Sequence, residues 1–202
     1  MTRAQEQLRP DVAESRRRWR EEIRPGLDPA RLVFLDETAA KTNMARTHGY
    51  APKGERLEGY APYRRWQTTT FLGAMRAEGF IAPLVVDGAM TGELFVAYVG
   101  RVLIPELSPG DVVVMDNLSC HIQKAVRALI EAAGCRVLYQ PAYSPDYNPI
   151  ELAFSKLKRL LRKEAARTVE ALWEALGRLL DRFGPDECRS HFHHRGYSST
   201  PS

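Results

Sequence analysis

Residues 111–140, DVVVMDNLSCHIQKAVRALIEAAGCRVLYQ, decide the fold class. DVVVMDN (111–117) is a short β-branched run closing on an acid, which predicts a buried strand. Residues 119–133 read as a helix with Gly134 as its stop, and CRVLYQ (135–140) reads as a further strand. Strand, helix and strand in such close succession point to an α/β layer. Upstream, RLVFLDET (31–38) is another apolar run ending in acids. WQTTTFLGAM (66–75) and FIAPLVVDGAM (80–90) are β-rich runs joined by a turn at Gly79. TGELFVAYVGRVLIPEL (91–107) repeats apolar residues at helical spacing, with Thr91 as N-cap and Pro105 at the end. Downstream come a Pro-rich loop, PAYSPDYNP (141–149), helices over 150–165 and 168–183, and a His-rich tail. The predicted fold is therefore α/β, a mixed five-stranded sheet flanked by helices. Residues 1–30 are charge-rich and broken by Pro10, Pro25 and Pro29. They read as a linker or leading helix and not as a core element.

The 202 residues, 44% hydrophobic and 27% charged with mean hydropathy −0.36, suit one sizeable globular domain. They exclude a disordered tail, a collagen-like repeat or a coiled coil as the main business of the chain. No apolar run approaches the ~18–20 residues of a membrane span, and no signal-peptide core precedes the first strand. A soluble, cytosolic protein is expected. Three cysteines (Cys120, Cys135, Cys188) without a C-x-x-C pair suit reduced thiols. His191, His193 and His194 have no adjacent ligand pattern and read as a helix end or polar surface.

The net charge of +4 is modest, but it is segregated. Residues 41–65 hold Lys41, Arg46, Lys53, Arg56, Arg64 and Arg65 against only Glu55 and Glu58, in a Gly/Pro-marked hairpin region. Residues 156–163 hold Lys156, Lys158, Arg159, Arg162 and Lys163 with no acid. The segment between is acidic. Three acids stand out by position: Asp36 at the first strand's end, Asp116 at the fourth's, and Glu151 opening a helix. Side chains at neighbouring strand ends can meet at one sheet edge, as ligand sites do in open α/β sheets. Clustered carboxylates repel unless protonated or neutralised by a cation, and hard oxygen ligands suit Mg²⁺ or Mn²⁺. Two such ions about 3.5–4 Å apart can serve the attacking and leaving oxygens of phosphodiester chemistry. Asn117, His121 and Asn148 are placed to orient the carboxylates or meet a phosphate. The macrodipole of the helix that Glu151 opens favours its ionised form. Phe154, Lys158 and Arg162 follow Glu151 along one helix face.

Taken together, FLDET, VVVMDNLSCH and YSPDYNPIELAFSKLK, in that order, resemble the mariner-type DDE transposases, in their bacterial insertion-sequence branch. The 34 residues between Asp116 and Glu151 match that superfamily's separation, and the resemblance extends over roughly residues 25–197, to the closing HRGY. It implies a ribonuclease-H-like catalytic domain over 31–197, an extension over 1–30 and a tail over 198–202. It also implies that Asp36, Asp116 and Glu151 bind two divalent ions for hydrolytic DNA cleavage and strand transfer, without a covalent enzyme–DNA intermediate. The basic segments would then lie along the DNA backbone of transposon ends and target, with a dimer assembled on DNA. Phe154 stands where many relatives have Trp, and Ile122 where a polar residue is common. Relatives also carry an N-terminal helix-turn-helix region; about 30 residues precede the first strand here, so a separate DNA-reading polypeptide is a candidate partner. Two alternatives stay open: a ribonuclease-H-like nuclease that cuts without joining, and an inactive remnant that binds DNA or a partner. A haloacid-dehalogenase phosphatase is excluded by Thr38, which stands where its second Asp belongs. A nucleotide hydrolase lacks its G-x-x-x-x-G-K-[ST] loop.

Overall fold

A computed structural model describes residues 5–198 apart from 47, 57, 59, 61, 63–65 and 120. Arg64, Arg65 and Cys120 lie outside the described residues. The five expected strands form one sheet: β1 (Leu32–Lys41), β2 (Thr68–Arg76), β3 (Gly79–Asp87), β4 (Val112–Met115) and β5 (Arg136–Tyr139). Their order is β3-β2-β1-β4-β5. The first three strands pair antiparallel, while β1 with β4 and β4 with β5 pair parallel, so the sheet is mixed.

Period-two alternation in β1 and β4 splits the core. Leu32, Phe34, Val112 and Val114 face one layer, formed by α4 (Ile150–Glu164), α5 (Val169–Leu180) and α6 (Pro185–His194). Val33, Leu35, Val113 and Met115 face the other, formed by α2 (Gly92–Tyr98), its continuation Val99–Leu103 and α3 (Lys124–Ala132). Thr91 caps α2, its hydroxyl accepting from Leu94 N at 3.2 Å. Gly134, at φ 74°, ends the α3 turn in the left-handed region that glycine enters without penalty. Aromatic rings fill the first layer: Phe34 lies 5.3 Å from Phe192 and 5.0 Å from Tyr197, and Phe71 lies 5.9 Å from Phe154. Each such pair adds roughly 0.5–1.5 kcal/mol beyond its burial.

Three expectations change. The leading segment is more than a linker: α1 (Pro10–Arg18) and the turn after it bury Val12 and Trp19, and Trp19 belongs to the core under α4–α6. A single large indole suffices to dock a helix whose remaining face is charged, which a periodicity count undervalues. The helix expected from residue 119 starts at Lys124, because Asp116 and its neighbours form a tight loop instead. No strand pairing occurs among the described residues of 42–65, so the expected hairpin is a turn-rich excursion after β1. His191, His193 and His194 stand in the last turn of α6, the helix end expected of them, and Tyr197 after it is core. Finally, no helix among the described residues is long and apolar enough to cross a membrane.

Candidate active site

β1 is longer than RLVFLDET and continues to Lys41, so Asp36 sits within a strand and not at its end. Its parallel pairing with β4 nevertheless stops at Phe34–Val114, while antiparallel pairing with β2 carries on. Asp36 is thus the point where β1 runs on past β4. Extending the same register by two residues sets Asp36 opposite Asp116, just beyond β4. By alternation both share the face of Phe34 and Val114, the face that α4 covers with Glu151 in its first turn.

The three carboxylates line one cleft of about 410 Å³, with Asn117, Gln140 and the loop Pro141–Asn148 as its other walls. Asp36 is 8% exposed. Burial, then the charges of Glu151 and Asp116, push its carboxyl up to about 8. Burial likewise pushes Glu151 up, against the opposing charges of Lys158 and Arg195. The helix start therefore does not leave Glu151 the easily ionised acid expected of it, because desolvation outweighs a terminal dipole. Among the described residues, no three His, Cys, Asp or Glu side chains converge tightly enough to cage a metal ion. The donors share a cleft without meeting at one point.

Asn148 is buried and donates from Nδ2 to Asp36 Oδ2 at 2.9 Å, while the Glu37 N–H donates to Asp36 Oδ1 at 2.8 Å. Asn148 Oδ1 accepts from Ile150 N at 3.2 Å, which ties this amide to the start of α4. Asn117 lines the cleft but holds no carboxylate; its amide donates to Gln140 O at 2.8 Å and joins the two strand ends.

His121 is fully buried between two acids. Nδ1 lies 2.6 Å from Asp116 Oδ1 and Nε2 lies 2.8 Å from Glu37 Oε2. Burial lowers the imidazole pKa, but the hydrogen bonds to Asp116 and Glu37 and their charges outweigh it and lift it to about 9. At neutral pH the ring carries both protons and donates in both directions. The Phe95 ring packs 4.5 Å away, and Tyr139 donates to His121 O at 3.0 Å. The same loop closes on Asp116 again, where Leu118 N donates to Oδ1 at 3.0 Å. Glu37 is the residue that sequence reasoning passed over. The signal was its place next to Asp36 in FLDET: adjacent strand residues face opposite sides, so Glu37 had to point toward the α2–α3 layer and needed a partner there. Arg195, in the closing HRGY, is a second such residue, a half-buried cation whose charge acts on Glu151.

The basic residues divide. Arg46 and Arg162, from separate segments, line one groove together with Tyr60, Lys163 and Arg167. Lys53, Arg56 and Arg159 are exposed, and Lys41 is exposed with its ammonium 5.7 Å from the Trp66 ring. Lys158 is half-buried near Glu151. Lys156 departs from the expected role. It donates to Arg182 O at 2.9 Å, pairs with Glu187 and sits 4.4 Å over the Phe183 ring, so it fastens α4 to α6. Phe154, one turn after Glu151, is core beneath Phe71 and Phe80. Phe154 faces the sheet and Lys156 faces α6, a difference that the run of basic residues conceals.

No curated protein matches the sequence. Among solved structures, the chain is similar to a pre-cleavage Mos1 transpososome at 19% identity and TM-score 0.69, over 91% of this chain and 56% of that one. A Mos1 mariner paired end complex with Mn matches at 19% identity and TM-score 0.68, over 91% and 56%. The Mos1 transposase catalytic domain with Raltegravir and Mg matches at 16% and TM-score 0.63, over 91% and 85%. The chain thus spans little more than half the length of the transpososome chains. The common fold is the ribonuclease-H-like one, a mixed five-stranded sheet between helices. The DDE superfamily endonuclease family matches residues 31–173, a stretch holding all three carboxylates, and the chain belongs to that family.

Proposed function

We propose that this chain is the catalytic core of a mariner-like DNA transposase of the bacterial insertion-sequence branch, acting at the nucleoid. It cuts DNA hydrolytically and joins the freed 3′ hydroxyl to target DNA. The catalytic unit runs over residues 31–197, braced by the segment before it. One observation carries the reading: Asp36, Asp116 and Glu151, far apart in sequence, line a single cleft where β1 passes the end of β4.

Asp36, Asp116 and Glu151 are the residues that would hold two divalent ions. The fit rests on their chemistry: three hard carboxylates whose desolvation and mutual repulsion already hold Asp36 near pKa 8, a strain that a cation relieves. When bound, Mg²⁺ or Mn²⁺ supplies positive charge against the negative charge that builds on the phosphodiester oxygens. Asn148 fixes Oδ2 of Asp36, so its carboxylate cannot rotate freely. The doubly protonated His121 fixes Oδ1 of Asp116 and is itself anchored by Glu37. The groove of Arg46 and Arg162, with the exposed Lys41, Lys53, Arg56 and Arg159, contacts phosphates and positions the duplex without reading its sequence. Two copies assemble on paired DNA ends, by likeness to the paired end complex.

The test incubates the chain with supercoiled plasmid and pre-cleaved DNA ends, with and without Mg²⁺ or Mn²⁺. Metal-dependent nicking and joined products are expected, and Asp36→Ala, Asp116→Ala and Glu151→Ala each reduce both to background in a folded protein. Cleavage persisting in any one variant removes that residue from the site. Nicking without joined products leaves a nuclease, and DNA binding without either leaves a binding remnant.

A further inference from the structure

The loop Pro141–Pro149 forms half of the cleft wall, carries Asn148 and delivers the chain to Glu151. Its shape is not self-supporting. Tyr143 holds φ 55°, a left-handed conformation that side chains disfavour, and the ring is 47% exposed at the cleft. The loop's own bonds are few: Ser144 Oγ donates to Ala142 O, Tyr147 N to Ser144 O and Asn148 N to Pro145 O.

The rest of its support comes from outside. Arg16, on α1, donates to Ser144 Oγ at 2.6 Å and holds both oxygens of Asp146, at 2.9 and 2.7 Å. The Arg16 guanidinium also lies 4.5 Å from the centre of the Tyr147 ring. Gln7 Nε2 donates to the strained Tyr143 carbonyl at 2.6 Å. Behind them, Tyr197 donates to Tyr147 O at 2.9 Å and receives Trp19 Nε1 at 3.2 Å, so the buried indole fixes helix and loop together. The Arg16 side chain is only 14% exposed and its Asp146 partner 30%. A planar, two-pronged guanidinium contact of this kind fixes direction as well as distance, which a lysine cannot do. All of α1 precedes residue 31, where the family match begins.

We propose that Arg16 is a positioning residue for the carboxylate site. It acts through Ser144 and Asp146 to hold the loop in the conformation that sets Asn148 against Asp36 and Glu151 at the head of α4. The proposal rests on the reading of the three carboxylates as a divalent-cation site that cuts DNA.

The test compares Arg16→Gln, Arg16→Lys, Asp146→Asn and the Arg16→Gln/Asp146→Asn double variant, with Arg17→Gln as control. Among the described residues, Arg17 pairs with acids of its own helical segment, Glu14, Glu21 and Glu22. Four readouts apply: hydrogen exchange of residues 141–149 against that of the sheet, Mn²⁺ affinity by calorimetry, the Mn²⁺ dependence of plasmid nicking, and Tm. Arg16→Gln is expected to speed exchange in the loop but not in the sheet, and to weaken Mn²⁺ binding about tenfold. Arg16→Lys falls between it and wild type. The double variant is no worse than Arg16→Gln alone, since that change already breaks the contact with Asp146. Unchanged loop exchange and Mn²⁺ affinity in Arg16→Gln overturn the proposal. So does exchange rising equally in loop and sheet, which makes Arg16 a general staple. If Asp36→Ala leaves Mn²⁺ binding and nicking intact, the cation-site reading fails, while loop exchange in Arg16→Gln still decides whether the loop is held.

Discussion

The carboxylate cleft and the basic groove sit on one molecule but are built by opposite rules. In the cleft, Asp36, Asp116 and Asn148 each have named partners at 2.6–3.0 Å, and Asp36, Asn148 and His121 are buried. The groove of Arg46, Arg162 and Lys163 consists of exposed or half-exposed side chains at the mouth of a turn-rich excursion. Holding carboxylates together in low dielectric opposes their own repulsion, so backbone register and hydrogen bonds must force the arrangement. Attracting a polyanion needs only the right sign in roughly the right place, and long solvated side chains provide it. Placement matters in one region and charge in the other.

That contrast fails or sharpens first at His121. His121→Ala leaves Glu37 and Asp116 without the proton donor between them. Breaking a buried ionic contact in this way costs about 3–5 kcal/mol of stability. Nicking is expected to fall about 10–100-fold, because Asp116 loses its orienting partner. Thermal unfolding and nicking rates in the same samples check both. Wild-type behaviour in the two assays would mean that the cleft tolerates misplacement as the groove does.

The pH dependence of stability is the next test. Asp36 binds its proton up to about pH 8 in the folded chain, against roughly 3.9 when unfolded. Across that window the folded state holds a proton that the unfolded state has released. Stability in chelator is therefore greatest at low pH and is lost as pH rises toward 8. His121, raised to about 9, loses its contribution in the same direction between roughly pH 6.5 and 9. Asp36→Asn removes the first contribution. The variant's Tm is expected to change less between pH 5 and 8 than that of wild type and to exceed it at pH 8, while cleavage is lost. Adding Mn²⁺ should raise the wild-type Tm and leave that of the variant unmoved. A wild-type Tm that rises from pH 5 to 8 in chelator would contradict the burial of an unneutralised carboxyl.

The smallest effects belong to the basic side. Arg46→Ala and Arg162→Ala should each weaken duplex binding a few-fold and reduce the slope of log affinity against log salt by about one. Lys156→Ala should leave that slope unchanged and lower stability by roughly 1–2 kcal/mol, because its contacts are to Glu187, Arg182 O and Phe183. Salt titrations of binding separate the two groups of residues. A slope reduced in Lys156→Ala would return that lysine to the DNA face.

How much of this the sequence carried varies residue by residue. DVVVMDN and RLVFLDET gave strands because alternation and β-branching act locally, and Asp36 and Asp116 came with them as the residues that close an apolar run. Glu151 was readable from the Pro-rich loop and the helix start. Glu37 stood in plain view in FLDET, but its meaning depended on His121, which lies 84 positions away. Lys156 looked like its basic neighbours until α6 packed against α4. Arg16, in a segment with one weak apolar stripe, gained its role from a loop 130 positions on.

By itself, then, the sequence determined the strand and helix periods, most caps and stops, and which acids close the apolar runs. Those properties are set by φ/ψ preference and side-chain alternation within a few residues. The tertiary structure alone decided that Asp36 keeps its proton to about pH 8, that a buried imidazole bridges Glu37 and Asp116, and that Lys156 is a staple and not a phosphate contact. Desolvation and ion pairing depend on what packs against a group, and those neighbours exist only once the chain has closed on itself.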